Sequence, residues 1–335
     1  MALLTKDEIS LAWRALTDDG EDVGWRSIPL STHSTIKLQA ARRFPGNEEA
    51  LLIGFTSLRL PHFSSLPQGK GFRVILAELG DSSCNWLGLV RQPQGSLDLF
   101  TMMSADIVST LAASHSCNEK QLFQLFFGRI RAWQLFMTRD AVGLRPEVEL
   151  GLVGELTCLE DLLNAGLPNY MALESWVGPL DGLQDFELGS GAIEVKSTLA
   201  SSGFRATIQS LEQLDDSVRA PIFVCGCRYR IAEEGTTLPE RVRRLQERFE
   251  TDEAAAWMLS SSLLQIGYTD AHSDLYSRKF IDVETVYLLV DQGFPRLTVG
   301  NVPFGVRSAR YEIDLDNVGN EKYSIHDVVN LIKGI

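Results

Sequence analysis

Cysteine is scarce. The chain has five (Cys84, Cys117, Cys158, Cys225 and Cys227) among 335 residues, an odd number without the paired spacing of a thiolate zinc site. They read as reduced, mostly buried thiols in a cytoplasmic protein. Histidine is equally scarce, with five residues and none paired with a candidate nucleophile, so Ser-His and Cys-His hydrolysis lack support. No apolar run is long enough to span a bilayer. The first residues lack the basic start and unbroken apolar stretch of a secretory signal. No phosphate-cradling P-loop is present, so ATP hydrolysis is not expected. Positive charge is outnumbered, 31 Lys and Arg against 44 Asp and Glu, for a net charge of -13. Such a surface cannot grip nucleic acid over its whole extent, because Lys and Arg neutralise the phosphates. Any such contact would need divalent cations, a local basic strip or a partner subunit.

What the chain has is enough apolar sequence for two domains, or for one large domain with appendages. A helix is predicted over 6–16, where Ile9, Trp13 and Leu16 recur at helical spacing. Strand-like runs at 51–55, 72–76 and 86–90, separated by turn residues, suggest a small antiparallel β domain. From about Ser104 the pattern turns helical, and 119–138 carries Leu122, Leu125, Phe126, Ile130, Trp133 and Phe136 on a broad apolar face. A polar connector at 139–149 divides an N-terminal β-rich domain ending in helices (1–140) from a second domain (141–335). The second domain reads as a helix over 151–165, a hairpin over 184–198, a strand or turn leading into helix over 205–214 and a buried strand over 222–230. Helix over 238–266, strands near 285–290 and 309–315, and a short helix over 324–335 capped by Ser324 follow. Alternating helices and strands predict a mixed α/β arrangement.

The hairpin carries the chemistry. Residues alternate on both sides of Gly189-Ser190-Gly191, so Ile193 and Val195 share one face while Glu194 and Lys196 share the other. With an even loop of Ser190 and Gly191, Phe186 faces Val195 and Leu188 faces Ile193. Asp185 then meets Lys196, and Glu187 meets Glu194. A three-residue turn without a bulge would place Asp185 with the apolar set, so burial selects the register that gathers the polar residues. Asp185 and Glu194 could hold Mg²⁺ while leaving positions for water and a phosphate oxygen. Lys196 could orient the attacking water and stabilise developing charge. Spacing alone is weak, since an acid two residues before a lysine is common on any solvated strand.

The wider pattern adds to it. Gly151-Leu-Val-Gly-Glu155-Leu, Trp176-Val-Gly-Pro179, Asp185-Phe186, Ile193-Glu194-Val-Lys196 and Ser210-Leu-Glu-Gln213-Leu occur in this order. Together they resemble the PD-(D/E)XK motif protein family, a branch of the restriction-endonuclease-like superfamily. The similarity continues through Phe294-Pro-Arg-Leu297 and Tyr311-Glu-Ile-Asp-Leu315. The resemblance implies an α/β fold, a restriction-endonuclease-like mixed sheet flanked by helices. It implies catalytic roles for Asp185 and for Glu194-Val195-Lys196, with Asp185 and Glu194 as ligands of Mg²⁺ or Mn²⁺. Glu155 matches an acidic residue that completes the metal site or holds a water, and Gln213 a downstream glutamine that positions the lysine, water or phosphate. Gln184 stands where the motif's name has Pro.

Each residue has a plainer reading as well. Glu155 suits the first turn of a helix through the helix dipole, Gln213 could cap or solvate a helix, and Trp176 reads as packing. Glu187 stands as a second-line ligand. Arg241, Arg243, Arg244 and Arg248, interleaved with Glu240, Glu247 and Glu250, read as a salt-bridged surface before a basic strip. The expectation is a DNA endonuclease of a bacterial restriction or phage-defence system, with protein partners or a homodimer and no membrane association. The alternatives are a catalytically silent recognition or assembly subunit and a nuclease acting on RNA or single-stranded DNA.

Overall fold

The computed structural model describes residues 6–16, 23–32, 35–58, 60, 66–79, 84–114, 117–138, 143–180, 182–319 and 321–333. Residues 1–5, 139–142 and 334–335, which the readings above touch, lie outside them. The chain divides into two compact units, Met1–Asp140 and Ala141–Ile335.

The first unit opens with α1 (Lys6–Ala15), which buries Ile9 and Trp13. There follow β1 (Gly24–Thr32), β2 (Ile36–Phe44), β3 (Glu48–Phe55), β4 (Gln68–Gly69), β5 (Phe72–Ala77) and β6 (Asn85–Arg91), then α2 (Leu97–Ala113) and α3 (Glu119–Thr138). The strands form one antiparallel sheet in the order β1-β2-β3-β6-β5-β4. The runs at 51–55, 72–76 and 86–90 are β3, β5 and β6. The strand β2 escaped the pattern because Arg42 is buried in it, paired with Glu49 at 3.0 Å, where alternation leads one to expect an apolar residue. Helix α2 begins before Ser104, where the hydroxyl of Ser96 caps its first turn.

Glu119, the first residue of α3, accepts hydrogen bonds from the backbone N–H groups of Thr56, Ser57 and Leu58 and from the Thr56 and Ser57 hydroxyls. Burial works to raise its pKa, and the bonds from Ser57 and Thr56 outweigh it, holding the carboxyl at about 2 against an ordinary 4.5. Its contribution to stability is therefore complete above pH 4.5 and is lost as pH falls toward 2. Glu119→Gln is expected to cost this unit about 1–3 kcal/mol at pH 7 and much less near pH 3. Urea unfolding of both proteins at the two pH values checks this.

The second unit runs α4 (Pro146–Asn164), α5 (Asn169–Ser175), a 3₁₀ turn (Gly178–Leu180), β7 (Phe186–Leu188), β8 (Gly191–Thr198), β9 (Arg205–Ile208) and β10 (Ile222–Thr237). It continues with α6 (Leu238–Arg248), α7 (Glu253–Ile266), β11 (Lys279–Leu289), β12 (Tyr311–Asp314), β13 (Lys322–Tyr323) and α8 (Ile325–Lys333). Its mixed sheet has the order β13-β11-β10-β8-β7, with β8 parallel to β10 and the other neighbours antiparallel. Alternation along β8 and β10 separates two cores. Ile193, Val195, Phe223 and Cys225 pack with Leu156 and Leu159 of α4, Val242 of α6, Leu259 of α7 and Val329 of α8. Ile222 and Val224 face the opposite way and pack with Phe204 and with Ala206, Ile208 and Ile313 of the two-stranded β9–β12 ribbon.

Several boundaries differ from the sequence reading: β10 runs on to Thr237 and β11 begins at Lys279. The helical stretch over 238–266 is two helices, because Asp252 caps α7 through the N–H of Ala255. Beyond β9, residues 209–214 form a loop without helix. Much of the expected connector belongs to α4, which starts at Pro146, a residue suited to a helix's first turn. Ser324 does cap the last helix, its hydroxyl accepting from the N–H of Asp327. No helix among the described residues is long and apolar enough to cross a membrane.

Helix α4 lies close on β8, and its two glycines are not equivalent. A β-carbon at Gly154 would lie 2.0 Å from Ser197 Oγ and 3.2 Å from Val195 Cγ1, whereas one at Gly151 would meet nothing within 4 Å. Gly154→Ala is expected to push the helix off the strand and cost about 1–3 kcal/mol. Gly151→Ala should gain up to about 1 kcal/mol from helix propensity. Thermal unfolding of the two variants gives opposite signs if α4 approaches β8 in this way.

Candidate active site

The hairpin forms with a register displaced by two residues from the expected one. Phe186 faces Ile193, Glu187 faces Ala192 and Leu188 faces Gly191, so the loop is Gly189-Ser190. A shift of two preserves the faces, so the apolar side chains still meet the helical core. It changes the partners: continuing the ladder sets Asp185 opposite Glu194 instead of Lys196.

At Asp185 the ladder gives way. Its backbone carbonyl accepts from the N–H groups of Val177 and Gly178, both at 2.9 Å. Its side chain takes over toward β8, with Oδ2 accepting from the Val195 N–H at 2.7 Å. The two strands thus diverge around a carboxylate. Glu194 projects from β8 on the ribbon side, buried, with Oε1 contacting Lys196 Nζ at 2.6 Å and accepting from Gln213 Nε2 at 3.1 Å. Its other oxygen, Oε2, is buried without a hydrogen-bond partner. Glu155 reaches the same place from α4, held by Trp176 Nε1 at 2.7 Å.

Three enclosed carboxylates repel one another. Burial, reinforced by the charge of Asp185, raises the pKa of Glu155 to about 8, against the opposing hydrogen bond from Trp176. Burial and Asp185 likewise raise Glu194 to about 8, although Lys196 opposes them. Burial raises Asp185 as well, against the Val195 hydrogen bond and Lys196. Such a cluster favours bound protons or a cation.

A divalent cation fits this donor set. Glu194 Oε2 is an orphaned buried acceptor, and Asp185 Oδ1 and Glu155 Oε2 lie 3.0 and 3.1 Å from the point where Gly178 would carry a β-carbon. Hard cations such as Mg²⁺ take a few carboxylate oxygens and keep water on their other positions. A ready-made cage of three or more His, Cys, Asp or Glu is absent among the described residues. The fit is therefore to a site of few protein ligands. Gly178→Ala would place a methyl group beside Asp185 and Glu155, and should weaken Mg²⁺ binding at least about tenfold with little change in stability. Calorimetric Mg²⁺ titration beside a thermal melt separates the two effects.

The structure brings together the five expected residues Glu155, Asp185, Glu194, Lys196 and Gln213, and leaves Glu187 out. Glu187 is engaged by Arg219 at 2.7 Å and faces Ala192. Gln213 sits in the loop after β9, its Oε1 accepting from the Gln209 N–H at 2.7 Å while its amide reaches Glu194. Trp176 is a packing residue, stacked on Phe186, that also holds Glu155. Sequence reasoning missed the role of Gln184, which is buried and donates through Nε2 to the Gln213 carbonyl at 3.1 Å. Its position beside Asp185 was the only signal. Arg241, expected on a helix surface, is buried against Asp282 at 2.8 Å.

A mixed sheet that lodges an aspartate, a glutamate and a lysine where a hairpin diverges is the framework of a nuclease-like PD-(D/E)XK protein. The chain belongs to the family described as "Putative PD-(D/E)XK family member, (DUF4420)", whose model matches residues 9–316. PD-(D/E)XK nucleases generally use divalent metals. No curated protein and no solved structure matches the chain.

Proposed function

We infer that the second unit is a metal-dependent phosphodiesterase that cuts DNA, serving a bacterial restriction or phage-defence system. The observation that carries this reading is the buried Glu194, with one oxygen on Lys196 and the other without a partner, next to Asp185 and Glu155. Asp185 and Glu194 would hold Mg²⁺ or Mn²⁺. A bound divalent cation acidifies an attacking water and offsets charge on the phosphate. Lys196 orients the water and stabilises the charge that develops as the phosphodiester bond breaks. Gln213 fixes the Glu194 carboxylate, Gln184 fixes the loop that carries Gln213, and Trp176 fixes Glu155. Double-strand cutting calls for two such centres, which a homodimer or a partner nuclease would supply, and a partner with its own DNA affinity would offset the acidic surface.

Cleavage of supercoiled plasmid by the full chain, with Mg²⁺ or Mn²⁺ and with chelator, tests the reading. Metal-dependent nicking supports it. Absence of metal binding and of cleavage of duplex and single strands alike would leave a recognition or assembly subunit as the better account, and preferential cutting of RNA would move the substrate but keep the chemistry.

A further inference from the structure

Between β11 and β12 the chain makes a basic excursion, one of several acid-free stretches of the chain. Residues 292–311 contain Arg296, Arg307 and Arg310 and no Asp or Glu, in a chain whose net charge is -13. The excursion is anchored at both ends beside the catalytic loop. Arg296 donates through Nη1 to the Leu214 carbonyl at 2.8 Å and pairs with Asp216 at 3.0 Å, which ties the departing strand to the residue after Gln213. Tyr311 pairs with Ile208 across the ribbon, so Arg310 precedes the position opposite Ile208, next to Gln209, whose N–H is held by Gln213. The two anchors are joined, because the Leu297 N–H donates to the Tyr311 hydroxyl at 3.0 Å.

The loop has internal structure. Thr298 N–H donates to Asn301 Oδ1 and Asn301 Nδ2 to the Arg296 carbonyl, closing its first half. A turn closes the second half, with Val306 N–H on the Pro303 carbonyl at 3.1 Å and Gly305 at φ +98°, a conformation other residues rarely adopt. This turn holds Phe304 outward, fully exposed at 108 %. Arg307 and Arg310 follow, both exposed.

A well-defined turn that keeps a large aromatic ring in water, followed by two exposed guanidiniums in the acid-free stretch, has no stabilising role in the unit's own core. It has the chemistry of a nucleic-acid contact, an aromatic face for a base and cations for phosphates. We propose that the 303–310 segment is the nucleic-acid contact of this chain, with Phe304 stacking on an unpaired or unstacked base and Arg307 and Arg310 neutralising flanking phosphates. The proposal rests on the nuclease reading above and adds the element that grips the strand. It also supplies a local pair of exposed guanidiniums on an acidic molecule.

The test is binding of a fluorescein-labelled 20-nucleotide single strand and its duplex, followed by anisotropy in chelator at pH 7, where no metal-dependent cutting occurs. Phe304→Ala should weaken binding about tenfold or more. The double variant Arg307→Gln/Arg310→Gln should weaken it and lower the slope of log K against log salt by about 1.4–1.8, two phosphate contacts' worth. Phe304→Trp, at an exposed site that tolerates the larger ring, should bind like wild type and lose indole fluorescence when a base stacks on it. Affinities and salt slopes unchanged in the Ala and Gln variants, or an indole that does not respond, would overturn the proposal, and so would a wild-type chain that binds neither probe. Plasmid cleavage measured in parallel keeps the two readings apart. Cutting that persists with unaltered loop variants sinks only the loop's role, and loop-dependent binding without cutting sinks only the nuclease.

Discussion

Lys196→Ala is expected to reduce metal-dependent phosphodiester cleavage by about 10²–10⁴-fold while the protein stays folded. The loss has two sources that act at one atom. The ammonium that would steady the attacking water is removed, and Glu194 loses the one cation that opposes its burial. The carboxyl therefore holds its proton to higher pH, and a protonated Glu194 is a poor ligand for a hard cation. The variant should accordingly bind Mg²⁺ more weakly at neutral pH and regain part of that affinity as pH rises above about 8. Lys196→Arg separates the roles. A guanidinium keeps the charge beside Glu194 but presents a rigid planar fork in place of a compact ammonium, so Mg²⁺ binding should recover more than cleavage does. Asp185→Ala should abolish cleavage as well, and it also deprives the Val195 N–H of its acceptor. Plasmid nicking rates and isothermal titration with Mg²⁺ at pH 6, 7 and 8.5 supply the measurements. Wild-type rates in Lys196→Ala would remove this lysine from the chemistry.

How much of this site could be read beforehand follows from what a strand pattern encodes. The period of two decides which side of the sheet each hairpin residue occupies, and it set Glu194 and Lys196 on the face opposite Ile193 and Val195. It carries no information that separates registers differing by two residues. That choice was made by the Gly189-Ser190 loop and by the Trp176–Phe186 bridge, a pairing with residues well upstream. The same long-range pairing draws Asp185 aside so that its carboxylate, not its backbone, meets Val195. Gln213 was expected on or near a helix, in a stretch that also holds Leu211 and Leu214. Both leucines are buried, but from a loop whose polar groups are satisfied by Gln184 and Arg296. In the first unit, the buried Arg42–Glu49 pair hid a strand whose core residues would otherwise have shown it.

Glu155→Gln is expected to make the metal-free protein more stable and the enzyme worse. The folded-state pKa of Glu155 is raised to about 8 from 4.5, chiefly by burial and then by Asp185. A carboxyl with a raised pKa weakens the folded form wherever the unfolded chain would ionise it. The penalty is absent below about 4.5, grows as pH rises, and is complete above about 8. Glutamine removes the charge and retains an oxygen for the Trp176 N–H, which holds Glu155 at 2.7 Å. With a gain on the order of 2 kcal/mol, the second unit's melting temperature at pH 8 should rise by about 4–8 °C, while at pH 5 the variant and wild type should nearly coincide. Mg²⁺ should reverse the order at pH 8, because a bound cation offsets the repulsion that Glu155 adds in the wild type. The wild-type thermal shift with Mg²⁺ should thus grow between pH 6 and 8, and the variant's should be smaller throughout. Differential scanning calorimetry with and without 5–10 mM Mg²⁺, roughly the excess needed to saturate a weak site, checks each arm. A variant less stable than wild type at pH 8 would mean that Glu155 is ionised and favourably paired there, so the acidic cluster would not be the strained, cation-seeking group inferred from its burial.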